Sequence, residues 1–418
     1  MLQADFIIEH APLIATCAGP APRRGKAQRE LSPLKDGVVC ARDGVIVFVG
    51  AASELAGSVE LLPGATRIDA QGCTIVPGFV DAHTHVCFAG DRRKEIHRRL
   101  AGASYAEIAA EGGGIVSTVR DTRDASEDDL VSATRPRLDE MLACGTTTAE
   151  TKSGYGLTVD SELKMLRAIR RLDEEHPMDL VPTFMGAHEV PVEYRGRRAD
   201  YISLIVNEMI PRVVDEGLAE WCDVFCEQDV FSADEAKAIL DAAAKAGLKA
   251  RIHADELWAS GGSEVAAAVH ARSADHLIHV DDRGITALRQ QEVCATLLPV
   301  AAFYLKLGRY APARFLIDRG VPVALGTDVN PGAGFSPSMP YAITLACFAM
   351  KMTLEEALIA ATLNAAWSLD RAESIGSLEP GKLMDAVVLK GDLIDLIRVG
   401  SPTIRMVVKR GKVVSWAQ

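Results

Sequence analysis

The chain has 418 residues, 48% of them hydrophobic and only 5% aromatic, which is more than the roughly 250 residues of one α/β barrel and leaves material for a second module. Its formal net charge of -12 and the lack of a long Lys/Arg cluster argue against nucleic acid as a partner, and no run of about 18 uninterrupted apolar residues exists to cross a membrane. Nine scattered cysteines without a Cys-x-x-Cys pair read as reduced thiols, and the start Met1-Leu2-Gln3-Ala4-Asp5 has no basic n-region of a signal peptide, so the expected location is cytoplasmic.

Residues 1–75 alternate in strand-sized bursts such as Gly37-Val38-Val39-Cys40 and Gly44 to Gly50, and the same texture returns at 385–390 and 405–414. The two terminal segments, 1–75 and 376–418, are therefore expected to form one small β-sandwich domain. Between them, residues 76–375 follow a different grammar. An apolar run leads into His83, and further strand-like runs occupy 145–151, 180–187, 222–227, 248–253, 273–278, 294–299 and 321–327, mostly separated by helix-like stretches. One unit shows the pattern. Ser232 and Glu235 make a capping box, an Ala-rich helix runs to Ala246, Gly247 stops it, and 248–253 is the next strand; Thr353 and Glu356 open another helix in the same way. Eight strands alternating with helices predict a closed (β/α)8 TIM barrel, with an open doubly wound sheet as the alternative; no Gly-x-Gly-x-x-Gly follows the first strand.

A barrel of this kind works at the C-terminal ends of its strands. Asp81-Ala82-His83-Thr84-His85 ends the first strand, and side chains two apart on a strand point the same way, so His83 and His85 can reach one ion. His253 ends the fifth strand and Asp328 the eighth. Three imidazoles and a carboxylate suit one divalent ion, zinc or ferrous iron, with a position left for water, and such an ion lowers the pKa of bound water from ~15.7 to ~7. Glu256, three residues beyond His253, is placed to act as general acid and base. His276 ends the sixth strand and can hydrogen-bond the same water. Glu227, at the fourth strand, is a further candidate ligand.

The segments Asp81 to His85, Gly90-Asp91-Arg92, Ser104-Tyr105-Ala106-Glu107-Ile108, Glu111-Gly112-Gly113-Gly114-Ile115, Lys152-Ser153-Gly154-Tyr155-Gly156, Gly186-Ala187-His188, His253-Ala254-Asp255-Glu256 and Asp328-Val329-Asn330-Pro331-Gly332 together resemble the amidohydrolase superfamily. Within it they are most similar to the members that open an imidazolone ring in histidine degradation. Relatives with two ions bridge them with a lysine after the fourth strand; here 223–228 holds none and Lys152 follows the second strand, so one ion per chain is expected. The resemblance implies a metal on His83, His85, His253 and Asp328. It also implies a small substrate with a carboxylate tail, contacted by Arg92, Tyr155, His188, Glu256, Asn330 and the Gly332 backbone. Ala333 departs from the usual Ser or Thr, so one substrate hydrogen bond is missing or rerouted there. A homodimer is also implied.

The reaction expected is hydrolysis of the ring carbon-nitrogen bond of 4-imidazolone-5-propanoate to N-formimidoyl-L-glutamate, with Asp328 and His276 orienting the attacking water and Glu256 carrying the proton to the departing nitrogen. The alternative is an aminohydrolase acting on a nucleobase-like or other heterocyclic amine. Arg92 separates the two, because a neutral base needs no carboxylate clamp. A non-catalytic scaffold would be expected to lose metal ligands, and none is missing.

Overall fold

The computed structural model describes residues 1–103, 107 and 112–416. Of the segments that carry the resemblance, Ser104-Tyr105-Ala106 and Ile108 to Glu111 lie outside the described residues. The N-terminal strands are β1 (Leu2–Ala15), β2 (Pro33–Arg42), β3 (Val45–Ala51), β4 (Val59–Asp69) and β5 (Cys73–Pro77). Eight parallel strands follow, β6 (Phe79–Asp81), β7 (Thr146–Lys152), β8 (Asp179–Ala187), β9 (Trp221–Cys226), β10 (Lys249–Ala254), β11 (Ser273–His276), β12 (Cys294–Leu297) and β13 (Val323–Leu325), and β14 (Ala386–Lys390), β15 (Ile404–Lys409) and β16 (Lys412–Trp416) end the chain.

The strands β6 to β13 pair in sequence order. The ends meet where Ala82 N–H donates to Leu325 O (3.4 Å) and Asp328 N–H to His83 O (3.0 Å), which joins the last strand to the first. A period of two sorts their side chains. Ala149, Cys222, Val224, Ala250, Ile252, Ala274, Ala295, Val323 and Leu325 join the large apolar core shared with the helices. The alternate positions Glu150, Lys152, Asp223, Arg251, His253 and Asp275 are buried polar groups inside the barrel. Near the strand starts, Val80, Val181, Trp221, Cys294 and Ala324 pack against Ala365, Ala366 and Leu369. This apolar plug closes one mouth and confines the polar chemistry to the other.

Helix α1 (Ala233–Lys245) begins at the predicted capping box, with Ser232 N–H on Glu235 Oε2 at 2.9 Å and Glu235 N–H on Ser232 Oγ at 3.3 Å. It ends before Gly247, whose φ of 100° only glycine adopts without strain. The capping box at Thr353 likewise opens helix α2 (Leu354–Ala360).

The two termini meet in one mixed sheet of eight strands, ordered β16-β15-β14-β5-β1-β2-β3 with β4 beside β1. All eight strands are hydrogen-bonded into this one sheet. The long β1 carries a register shift between Ile8 and Ala11, and Phe6, Ile14, Val39, Ile75, Val388 and Met406 share a core. Strand β5 passes straight into β6 through Gly78, where a Cβ would lie 2.3 Å from Thr147 Oγ1. The terminal sheet and the barrel are thus joined at the strand that carries the His pair. Among the described residues no helix is long and apolar enough to cross a membrane.

Candidate metal centre and active site

His83, His85, His253, His276 and Asp328 converge at the open mouth of the barrel, all buried. His85 Nε2 lies 3.2 Å from His253 Nε2, and Asp328 Oδ1 lies 3.6 Å from His83 Nε2 and 3.7 Å from His85 Nε2. The far nitrogens of two rings are held from behind. His83 Nδ1 is 2.6 Å from Asp275 Oδ2, and His253 Nδ1 is 3.0 Å from Asp223 Oδ1. Each carboxylate takes the Nδ1 hydrogen and so turns the Nε2 lone pair inward.

Burial, reinforced by neighbouring cationic groups and imidazoles, holds His83, His85 and His276 well below the usual histidine range, so these rings are neutral as ligation requires. The Asp328 carboxyl is pushed up to about 7, chiefly by burial. His83 Nε2 and Asp328 Oδ1 are buried without a hydrogen-bond partner, an arrangement proteins rarely tolerate. A divalent cation among these donors satisfies both atoms, and the residues therefore fit the metal that the sequence pattern implies.

Glu256 stands on the loop after β10. Asp255, at φ 51°, anchors that loop by accepting from the N–H groups of Ser260 (2.9 Å), Gly261 (3.0 Å) and Ser263 (3.2 Å). Burial, with Asp328 and Glu227 nearby, raises the Glu256 carboxyl well above its ordinary value. Its Oε1 lies 3.5 Å from His276 Nδ1. Glu227 is committed elsewhere. Its carboxylate accepts from the N–H groups of Leu257 (2.8 Å), Trp258 (3.3 Å) and Gln228 (2.8 Å), which makes it a loop anchor rather than a ligand.

Tyr155 and His188 lie beside the cluster. Buried Glu162 accepts from the N–H groups of Gly154 (3.0 Å), Gly156 (2.8 Å) and Leu157 (2.8 Å), folding the loop that presents Tyr155. His188 Nδ1 sits 2.9 Å from Gly154 O, and its ring stacks on His85 with centroids 4.8 Å apart and lies 5.1 Å from Tyr155.

Arg92, Asn330, Gly332 and Ala333 form a second group. Arg92 is buried, with Nε 2.8 Å and Nη2 2.7 Å from Glu95 Oε2, while a Cβ at Gly332 would lie 2.2 Å from Nη1. The guanidinium therefore lies close against Gly332. Asn330 Oδ1 accepts from Gly332 N–H (2.8 Å) and Ala333 N–H (2.6 Å), and its Nδ2 donates to Asp328 O (2.7 Å). Asn330 thus braces the turn behind Asp328, and in this state the Gly332 amide is already engaged.

The residues that sequence reasoning left without a role are those behind the ligands: Asp223, Asp275, Glu150, Lys152, Arg251 and Glu95. For all but Glu95, which is on the helix after Arg92, the signal was a polar residue at an inward position of an otherwise apolar strand, as in Trp221-Cys222-Asp223-Val224.

The model for the amidohydrolase family matches residues 74–414, and the chain belongs to that family. It is 47% identical over 417 residues to the imidazolonepropionase of Symbiobacterium thermophilum, covering 99% of this chain and 98% of that protein. It is 48% identical over 391 residues to that of Solibacter usitatus, covering 93% of each. Identity at this level over whole lengths puts the chain in the imidazolonepropionase branch. Among solved structures, an adenosine deaminase from Xanthomonas campestris with bound zinc shares the fold at a TM-score of 0.73 and 18% identity, covering 99% of this chain and 93% of that one. A triazine hydrolase variant does so at 0.74 and 17%, covering 98% and 94%.

Proposed function

We propose that the protein hydrolyses the ring carbon-nitrogen bond of 4-imidazolone-5-propanoate, giving N-formimidoyl-L-glutamate in histidine degradation. What carries this reading is the 47% identity over 99% of the chain to an imidazolonepropionase, with a complete set of metal donors converging in the barrel mouth. One zinc or ferrous ion held by His83, His85, His253 and Asp328 would activate water near neutral pH, since such an ion lowers the pKa of bound water to ~7.

The chain's own groups supply the rest. Asp328 and His276 orient the attacking water toward the ring carbon. The Glu256 carboxyl, which burial keeps protonated to higher pH than usual, exchanges a proton with the departing ring nitrogen. Tyr155 and His188 bound the ring. Arg92, whose Nη1 remains beyond the Glu95 contacts, engages the propionate. Nine free thiols, most of them buried, support a reducing, cytoplasmic setting.

The test is direct. Freshly generated imidazolonepropionate, which decays spontaneously, should lose its ultraviolet absorbance faster with the protein than with a metal-stripped control. Identical traces, together with ammonia release from a heterocyclic amine, would replace this reading with the aminohydrolase one.

A further inference from the structure

Two cations, Lys152 and Arg251, are fully buried inside the barrel, and both meet the carboxylates that hold ligand imidazoles. They differ in what else they touch. Arg251 donates to Ser368 O (2.9 Å) and Ala82 O (2.8 Å) and meets Asp275 Oδ2 at 3.4 Å, so most of its grip is on backbone. The Lys152 ammonium has carboxylate contacts instead, Asp223 Oδ2 at 2.7 Å and Glu150 Oε1 at 2.8 Å.

Each of those carboxylates uses its second oxygen on a ligand-bearing segment. Asp223 Oδ1 accepts from His253 N–H (3.1 Å) and faces His253 Nδ1 (3.0 Å). Glu150 Oε2 accepts from the N–H of Thr84, between His83 and His85, at 3.1 Å. The Thr84 hydroxyl donates to Glu150 O (2.7 Å), and Lys152 N–H donates to Thr84 O (3.1 Å). One ammonium therefore links the His83-His85 segment, through Glu150, to His253, through Asp223.

We infer that Lys152 is a positioning residue for the metal centre: its ammonium ties Asp223 to Glu150, fixing the spacing between His253 and the His83-His85 pair and the ring face that His253 presents. This rests on the metal-centre reading above. A buried charge is costly to desolvate, and here two close carboxylates, which loss of the ammonium would leave uncompensated, offset that cost. The ammonium's two contacts fix the separation of the two carboxylates. Loss of such an outer contact typically costs 10–100-fold in metal affinity.

The experiment is a zinc-affinity cycle by chelator competition on the wild-type protein, Lys152→Met, Asp223→Asn and the double variant. Lys152→Met should weaken zinc binding about 10–100-fold while remaining folded, and the double variant should bind about as well as Asp223→Asn alone, because Lys152 acts through that carboxylate. The visible spectrum of the cobalt-loaded Lys152→Met protein should also shift, which a purely structural role would not require. Wild-type affinity in Lys152→Met, or losses that simply add in the double variant, would overturn the inference and leave the metal centre intact. No zinc binding by the wild type would instead overturn the metal-centre reading itself. If Lys152→Met fails to fold, the Glu150→Gln/Lys152→Met pair keeps the net charge of the trio and should show the same loss of affinity. Failure of both to fold would make the trio a folding device and end the proposal.

Discussion

Asp275 Oδ2 lies 2.6 Å from Nδ1 of His83, with both groups fully buried. Asp275 is adjacent in sequence to His276, and this dipeptide serves the site twice. The aspartate points back into the barrel to orient the ring of a neighbouring strand. The histidine, at φ 75°, turns out of the strand toward Glu256. The first side chain needs regular strand geometry and the second needs the strand to end, so β11 stops at His276.

The metal content follows from the donor set. Purified protein should carry about one zinc or iron per chain, and His253→Ala should lose most of it, since the ring offers Nε2 to the cluster while Asp223 holds Nδ1. Elemental analysis reads both. Two ions per chain, or full occupancy in the variant, would defeat the mononuclear assignment.

Glu256 is cast as proton carrier and is not among the ligands. Glu256→Gln should lower kcat by roughly 10²–10⁴ while metal content stays at the wild-type level. Steady-state kinetics beside elemental analysis separate the two effects. Turnover near wild type would remove Glu256 from the mechanism.

The strand count and the His83, His85, His253 and Asp328 positions were legible because period-two alternation and strand-end polarity are local signals. Asp223 and Asp275 were harder to assign, since their partners stand 30 and 192 residues away in sequence, and only barrel closure brings them together. Glu227 misled for a related reason. A strand-end carboxylate resembles a ligand until the loop after the next strand supplies the N–H groups of Leu257 and Trp258 to it. Arg92 could be given a role only through the resemblance, as its burial against Gly332 depends on a loop some 240 residues later in the chain. The terminal sheet was legible as strands but not in its strand order, because β5 pairs with β14 from the far end of the chain.

Two glycines near Asp328 should respond differently to alanine. At Gly334 a Cβ would sit 1.6 Å from Asp328 O, a backbone atom that cannot step aside, so Gly334→Ala should lower Tm and metal content together. At Gly332 the obstacle is Arg92 Nη1 at 2.2 Å, the end of a flexible side chain. Gly332→Ala should keep its metal and nearly its Tm, yet raise KM by displacing the guanidinium. Equal thermal losses in the two variants would contradict this division.

Glu356 offers a pH-dependent check away from the site. Burial would raise its carboxyl, but contacts from Arg314 (2.8 Å), Thr353 N–H (2.8 Å) and Arg29 (2.8 Å) outweigh that and hold it below the usual range. A group depressed on folding stabilises above its unfolded value of ~4.3 and loses that contribution as pH falls through its folded value. Glu356→Gln should therefore lower Tm by about 1–3 °C at pH 7, with the gap narrowing below pH ~4. A gap that is constant with pH would mean that the charge contributes nothing.

The propionate tail is the last test, because it addresses substrate choice rather than reaction type. Arg92 is buried, shares two nitrogens with Glu95 and lies against Gly332, so its Nη1 is a charged donor in a place that water reaches poorly, and the proposed function gives it the propionate. Replacing the propionate by its neutral amide removes a charge-assisted contact worth roughly 1.5–3 kcal/mol, or about 10- to 150-fold in kcat/KM. Arg92→Ala should accept acid and amide almost equally, since the discriminating group is gone. Measuring kcat/KM for both ligands on both proteins completes the cycle, with cytosine, guanine and adenosine as amines expected to be scarcely turned over. If the wild-type protein fails to prefer the acid, Arg92 does not read the tail, and the specificity must come from the ring contacts of Tyr155 and His188.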